Sequence, residues 1–448
     1  MKFAELRRIL GPATGIAVCC GMAIGAGILR TPGPVAAALP DAAWIMAVWC
    51  LGALVATLDA FLLAEMAAMV PRVGGLVAYV RLSFGPGPAF LVGWSMLLIT
   101  WPASLAGVAV ATGELLAGGA ETLAPGAATT TTGRVLAVAV ITVMGGINLL
   151  GLRAGARFEV LLSALKVALL AGICIAAAIA APTAASGVAP AFPASPALLF
   201  AAVGSAMAAV IFTYDGYADA VYLAGETRDP GRTLPRALFT ALIAITGLYL
   251  LANVTFLCVL GVDGLAKSQF AALDVAVRAF GPSGAQVLTV IALVVLLGAV
   301  NGYFLTGPRI GRYLAEEGLA LPALGRVGDS GAPIAGTVWI MVAAIAFAMT
   351  NTFDQLYAIT VPIISATTAL VAIGVLVQRA KAPDRPRPFR VRWAPLVVGL
   401  QVTIGLFLLG SFLAADPQAL AIDVVALLVG WIVYRWIRAR GGAAEVQR

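Results

Sequence analysis

Two apolar runs in this chain are interrupted by glycine and polar residues at what would be the middle of a membrane. They are Gly21-Met-Ala-Ile-Gly-Ala-Gly27 and Phe212-Thr-Tyr-Asp-Gly-Tyr-Ala-Asp219. Hydrocarbon offers no partner to a backbone N–H or C=O, and each unpaired group costs several kcal/mol there. A break at that depth must therefore face a protected cavity, and everything packed around it must be helix with its own bonds closed. Paired interruptions in two halves of a chain are the arrangement expected of a midplane solute site.

The rest of the sequence supplies the membrane. Of 448 residues, 61% are hydrophobic and only 11% charged, where a soluble domain carries about a quarter charged. Apolar stretches of about 20 residues recur throughout. They predict twelve spans, at 13–38 (broken), 43–69, 87–117, 133–151, 156–181, 197–225 (broken), 235–261, 284–314, 333–350, 354–379, 394–414 and 419–438. Continuous runs of this length exclude a β-barrel. The first follows Lys2, Arg7 and Arg8 like a signal peptide, but its glycine-rich interior and the later spans read as a retained helix.

The net charge of +7 is a topology signal. Under the twelve-span reading, 23 of the 28 Lys and Arg fall on one side, and only Arg30, Arg134, Lys267 and Arg278 lie opposite. This is the positive-inside pattern, placing both termini in the cytoplasm and removing the need for a nucleic-acid partner. The five cysteines (Cys19, Cys20, Cys50, Cys174, Cys258) lie inside spans, as small apolar packing residues. With no histidine, an imidazole metal site or relay is impossible; no metal or cofactor is expected.

Breaks in spans one and six imply a five-plus-five repeat, about 13–181 and 197–379, with span one running outward and span six inward. The expected division is a core over 1–379 and, over 380–448, two extra helices with a cytoplasmic tail. In the first break, the N–H groups of Gly25, Ala26 and Gly27 begin the outer half-helix and favour an anion. In the second, a half-helix ends near Phe212–Asp215 and its free carbonyls favour a cation. Together the poles suit a zwitterion. Glycine-mediated packing explains the first motif alone, but not the polar second break.

The run Gly21-Met-Ala-Ile-Gly-Ala-Gly-Ile-Leu-Arg-Thr-Pro32 resembles the first helix of the amino acid–polyamine–organocation (APC) superfamily. Phe212-Thr-Tyr-Asp-Gly-Tyr217 with Ala224-Gly-Glu-Thr-Arg-Asp-Pro-Gly-Arg-Thr-Leu-Pro-Arg236 is similar to its sixth helix and following loop, as found in bacterial relatives of the L-type amino-acid transporters. Pro71-Arg-Val-Gly-Gly75, Asn148-Leu-Leu-Gly-Leu152, and Asn301 with Thr306-Gly-Pro-Arg309 extend the likeness over spans one to ten. The resemblance implies an all-α LeuT-type fold with broken helices 1 and 6, and amino-acid transport, commonly sodium-independent exchange. Carried over, the amides of Gly25, Ala26 and Gly27 hold the substrate carboxylate. Carbonyls around Ala23, Phe212 and Asp215 hold its amine, within a second break formed by Phe212, Thr213, Tyr214, Asp215 and Gly216, with Phe212 as an aromatic gate. The chain departs from the family pattern at Ala26, where Ser is common, at Tyr217, where Trp is frequent, and at Ala218-Asp219, where Asn is frequent.

Lys166 matches a family lysine whose ammonium stands in for sodium between the first and fifth helices, and Tyr249 and Asn253 are expected to couple it to opening. Asp215 is open to three roles: substrate contact, proton carriage or a structural bond. Glu65 and Glu226 are expected to pair with Arg72 and Arg228, while Asp59 finds no role.

The leading expectation is a secondary amino-acid transporter of the bacterial inner membrane, exchanging or proton-coupled. A polyamine or cationic amino-acid antiporter and a non-transporting sensor are the alternatives. The absence of any nucleophile–base pair argues against an enzyme. The loop Gly118–Thr132 has no cysteine, so no disulfide-linked heavy subunit is expected. The expected partners are the amino acid and the lipid bilayer.

Overall fold

The computed structural model describes residues 8–39, 41–70, 72–121, 129–180, 195–328, 331–415 and 417–446. Lys2, Arg7, Pro71 and the central parts of the two long loops expected between spans three and four and between five and six lie outside them.

The first span is α1 (Pro12–Ala23), α2 (Ala26–Arg30) and α3 (Pro32–Ala38). Thr31, between α2 and α3, keeps helical dihedrals, and its N–H and C=O continue the ladder from Gly27 to Val35. The outer half is thus one helical run in which Pro32 removes a donor. Next come α4 (Ala42–Met69), capped by the Asp41 carboxylate on the Trp44 amide, and α5 (Gly75–Phe84). The third span is α6 (Pro86–Ser95), a π turn (Met96–Thr100) and α7 (Trp101–Glu121). Then follow α8 (Thr130–Leu149), α9 (Leu152–Ala180) and α10 (Pro196–Tyr214). A 3₁₀ segment (Tyr217–Glu226) completes the sixth span.

The second half contains α11 (Pro230–Ala266), α12 (Ala271–Glu316), α13 (Ile334–Thr350), α14 (Phe353–Lys381), α15 (Ala394–Ala415) and α16 (Pro417–Val446). Positive φ at Gly261 and Gly281 marks where α11 and α12 leave their membrane-length segments, close to the expected boundaries at 261 and 284. Eleven of the described helices or broken helices are long and apolar enough to cross a membrane, and α13 is an apolar helix of 17 residues. Together they account for the twelve expected spans. Among the described residues the only β pairing is one isolated bridge.

Helices at matching positions of the two halves lie against each other: α4 on α11, α7 on α12, α8 on α13. This centres the broken spans, so that α1 contacts α9, α11, α12 and the 3₁₀ segment. The outer surface inverts the pattern of a water-soluble protein. Ile179 and Ile243 stand 81% and 76% exposed, whereas Lys166, Asn253 and Asn301 are fully buried. Lipid is the solvent that makes this stable. Of the cysteines, Cys19, Cys20 and Cys174 are buried, while Cys50 and Cys258 face outward.

Two expected ion pairs form with different partners. Glu65 accepts from Arg379 Nη2 at 2.6 Å and Nε at 2.9 Å, and from the Val391 amide at 2.8 Å, with Arg387 Nε 3.7 Å away. Glu226 faces Arg309 at 3.3 and 3.4 Å, while Arg228 Nη2 donates to the Ile9 carbonyl. Both glutamates are buried on faces turned into the bundle, and cations of other spans reach them there better than sequence neighbours do. Breaking a buried pair outright costs about 3–5 kcal/mol; loss of Arg379 takes both short ionic bonds from Glu65 and leaves it the Val391 amide and Arg387 at 3.7 Å, so the cost falls below that range. Arg379→Ala is therefore expected to lower the thermal unfolding midpoint of detergent-purified protein markedly. Arg379→Lys, which keeps the charge but loses the fork, should fall between; fluorescence-detected size-exclusion after heating measures both.

Candidate functional site

The first break is two residues long. Ile24 (φ −78°, ψ 85°) and Gly25 (φ −135°, ψ −146°) separate α1 from α2, so the amides of Ala26, Gly27 and Ile28 open the outer helix. In the second break, Asp215 (φ −56°, ψ 159°) ends α10, its amide bonding the Ile211 carbonyl at 2.8 Å, and Gly216 turns left-handed at φ +96°. The breaks lie against each other. A Cβ on Gly216 would sit 2.7 Å from the Met22 carbonyl carbon and 2.9 Å from the Ala23 amide. One on Gly27 would sit 2.8–2.9 Å from Thr213. Thr31 and Thr213 join the two outer half-helices through hydroxyls 2.7 Å apart.

Carbonyls released by the breaks are taken up by two buried side chains. Lys166 Nζ donates to Gly21 O at 2.7 Å and Ile24 O at 3.0 Å. Tyr249 Oη lies 2.6 Å from Ala23 O and 2.9 Å from Thr213 O, so one phenolic hydrogen serves a carbonyl from each break. Asn253 does not reach the breaks. Its amide back-bonds to Tyr249 O at 2.8 Å, and its Oδ1 has no partner. Tyr214 turns its ring onto Tyr249 and Trp49, with centroids 5.0 and 6.2 Å apart. Phe212, half-buried, packs against Phe353 and Tyr357 of α14 at 6.0 and 5.6 Å.

Three further features come from the structure. Glu159, fully buried, precedes Lys166 by seven residues on the same face of α9, and the spacing Glu159–Ser163–Lys166 was the available signal. Its carboxylate accepts from Ser163 at 3.1 Å and Asn301 at 2.7 Å, and Asn301 in turn accepts from Asn148 at 2.9 Å. Ser163 also meets Ala17 O at 2.7 Å. Glycine at position 21 is what admits this carboxylate, since a Cβ there would collide with Glu159 and Ser163. Second, Asp59 accepts a 2.6 Å hydrogen bond from Tyr217, the residue after the left-handed glycine.

Third, the broken helices are tied at both ends. At the end of α2, Arg30 pairs with Glu114 of α7 at 2.5 Å and stacks over Phe270 and Phe353 at 4.9 and 4.7 Å. A cavity of about 270 Å³ lies beside this pair, walled by α7, α8 and the start of α14. At the opposite end, Leu10 exchanges backbone bonds with Glu226 and Arg228. Beside that bridge a cavity of about 420 Å³ is lined by Leu10, Thr14, Arg157 and Arg228.

The sequence model of the family described as amino acid permease matches residues 10–434. The serine/threonine exchanger SteT of Bacillus subtilis (strain 168) is 25% identical over 453 residues, covering 97% of this chain and 98% of its own. The human b(0,+)-type amino acid transporter 1 is 26% identical, over 93% of this chain and 85% of its own. The mouse Asc-type amino acid transporter 1 is 25% identical, over 95% and 80%.

The contact between the breaks yields a test. Gly216→Ala forces a side chain into a left-handed position, costing on the order of 1–3 kcal/mol, and drives a methyl group into the Met22–Ala23 backbone. It is expected to abolish stabilisation by any bound amino acid in a thermal-shift assay. Gly247→Ala, with nothing within 4 Å of its Cβ, should leave that response intact and raise basal stability by about 0.5–1 kcal/mol.

Proposed function

This chain belongs to the amino acid permease family, and from that premise we propose that it carries amino acids across a membrane by exchange, through alternating access around the two breaks. The observation that carries this reading is the meeting of both non-helical segments in the buried centre, joined by the single hydroxyl of Tyr249. Exchange is favoured because the matched relatives include a protein named as a serine/threonine exchanger.

In this proposal the substrate carboxylate meets the amides at the start of the outer helix, Gly25, Ala26 and Gly27, where dipole and free donors favour an anion. The α-ammonium meets the carbonyls of the second break, with Ala23, Phe212, Thr213, Tyr214, Asp215 and Gly216 around it. Ala23 O already accepts from Tyr249, so substrate entry competes for, or shares, that oxygen. Phe212, in its aromatic cluster with Phe353 and Tyr357, is the lid over the amino acid. Arg30–Glu114 is the closure on one side, and the Leu10–Arg228 bridge the closure on the other.

Lys166 is the fixed charge that makes sodium unnecessary: its ammonium occupies two carbonyls at the end of α1, where a bound cation would otherwise be required. The arginine distribution supports a bacterial inner membrane with both termini cytoplasmic. The breaks in the first and sixth spans support a core over residues 1–379, with repeats near 13–181 and 197–379, and two added helices over 380–448. The cysteine-free segment 118–132 supports action without a disulfide-linked subunit.

The deciding experiment is a counterflow screen of labelled amino acids in sodium-free proteoliposomes. Saturable uptake accelerated by unlabelled amino acid inside is the expected result; binding without flux would make the protein a sensor. Lys166→Ala should reduce the exchange rate at least tenfold, because two buried carbonyls lose a charged donor worth roughly 1.5–3 kcal/mol. Sodium-dependent uptake by the wild type, or unaltered kinetics in Lys166→Ala, would remove the role given to Lys166.

A further inference from the structure

A second polar site lies beside the second break, and no residue of the first break lines it. Asp59 of α4, Asp215 and Tyr217 of the break, Ser365 of α14 and Gln401 of α15 line one cavity of about 50 Å³. Ligand pockets occupy about 300–1,000 Å³, whereas one water needs about 10–15 Å³. The cavity is therefore too small for an amino acid and large enough for water or a bare charge.

Its hydrogen-bond inventory is out of balance. Tyr217 satisfies Asp59 Oδ2 at 2.6 Å. Asp59 Oδ1, Ser365 Oγ and Gln401 Oε1 are all buried without a partner, on residues each 7% exposed, and the hydroxyl of Tyr214, also on the cavity wall, is a fourth. Nine in ten or more of buried polar groups are satisfied, so four orphans on one cavity call for an occupant. The carboxylate and amide oxygens can only accept, while the two hydroxyls can donate or accept. No lysine or arginine is among the lining residues, and the carboxyl end of α10 adds further negative potential. The Asp59 carboxylate therefore has no cationic partner on the cavity wall.

We propose that this cavity is a proton-binding site, with the proton held on Asp59 and its release coupled to movement of the second break. The inference rests on the transport reading above. The step is Asp59 carboxylate plus hydronium giving the carboxylic acid plus water. The new O–H forms on Oδ1 and donates across the cavity to Gln401 or Ser365. The coupling is the Tyr217 bond. While Asp59 is ionised, that bond is charge-assisted and about twice as strong as a neutral one, pinning the segment after Gly216 to α4. Protonation weakens it and frees the 3₁₀ segment to move with substrate. The other titratable groups at the cavity are Tyr214, Asp215 and Tyr217; α14 and α15 present none there, and Asp219 follows on the same 3₁₀ turn.

Purified protein in sodium-free proteoliposomes tests this with the amino acid found by counterflow. Acidifying the outside should raise wild-type uptake several-fold, with a midpoint in its pH profile. Asp59→Asn should flatten that profile whatever its absolute rate. Tyr217→Phe should move the midpoint toward alkaline pH by about one unit, the equivalent of one charge-assisted hydrogen bond; a purely structural contact would change rate without moving the midpoint. Wild-type counterflow indifferent to pH, a wild-type pH profile in Asp59→Asn, or uptake driven by a sodium or potassium gradient at fixed pH would each overturn the proposal while leaving transport standing. Absence of counterflow with every amino acid removes both.

Discussion

The architecture depends on one requirement: every backbone group released where a helix is broken inside a membrane must find a partner. Here the partners are side chains. Lys166 takes two carbonyls at the end of α1, and Tyr249 stands between Ala23 and Thr213. Because the acceptors belong to the broken helices and the donors to α9 and α11, satisfying the backbone also fixes which helices surround the site. The close approach that this needs is provided by missing side chains, at Gly21 against Glu159 and at Gly216 against Met22. The site and the fold are therefore held by the same bonds.

A second constraint concerns charge. The described carboxylates within the bundle are handled in different ways. Glu65 and Glu226 are neutralised by arginines from other spans. Glu159 is held by neutral donors, Ser163 and Asn301, and has Lys166 further along its own helix face. Asp59 has one phenol, and Asp423 of α16, 3% exposed, has no partner on either oxygen. These carboxylates run from charges fixed in ion pairs to ones with a single neutral donor or none. Structural rigidity belongs to the first group. Of the less firmly held ones, Asp59 is the one bonded to the second break.

Much of this was legible in the sequence because membrane constraints are strong and local. A span needs its length of apolar residues, so the twelve segments could be read directly, and the breaks at Gly25 and Gly216 could be placed within two residues. The lysine in α9 was conspicuous because charge is costly at that depth. Pairings between distant spans were not legible. Glu65 and Arg379 are separated by more than 300 positions, and no local pattern favours that arginine over Arg72. Asp59 and Tyr217 looked like two unrelated oddities, one an unexplained acid and the other a departure at a position where tryptophan is frequent. Only the packing of α4 on the second break makes them a donor and its acceptor. Nor was the placement of Asn253 legible: it is expected beside Tyr249 from the sequence, yet its amide bonds back to its own helix, as short polar side chains commonly do.

The two breaks differ in how firmly they are held, and this bears on which one moves. The end of α1 is gripped by a charged donor with two bonds, an arrangement that persists as long as Lys166 keeps its proton. The segment after Gly216 is held to α4 through a phenol and a carboxylate, and the hinge itself is a glycine that adopts φ +96° without strain. A two-state element responds to whichever contact changes strength between its states. On that criterion, and on the proton proposal above, the second break is the one whose contact to its neighbour changes strength, while the Lys166 grip on the first stays as it is. Tyr249 then acts as the reporter between them: its one hydrogen cannot fully satisfy both carbonyls at once. Any shift of Thr213 that follows from loosening Tyr217 therefore changes how strongly Ala23 is held, and a change on the α4 side of the second break reaches the first through a single hydroxyl.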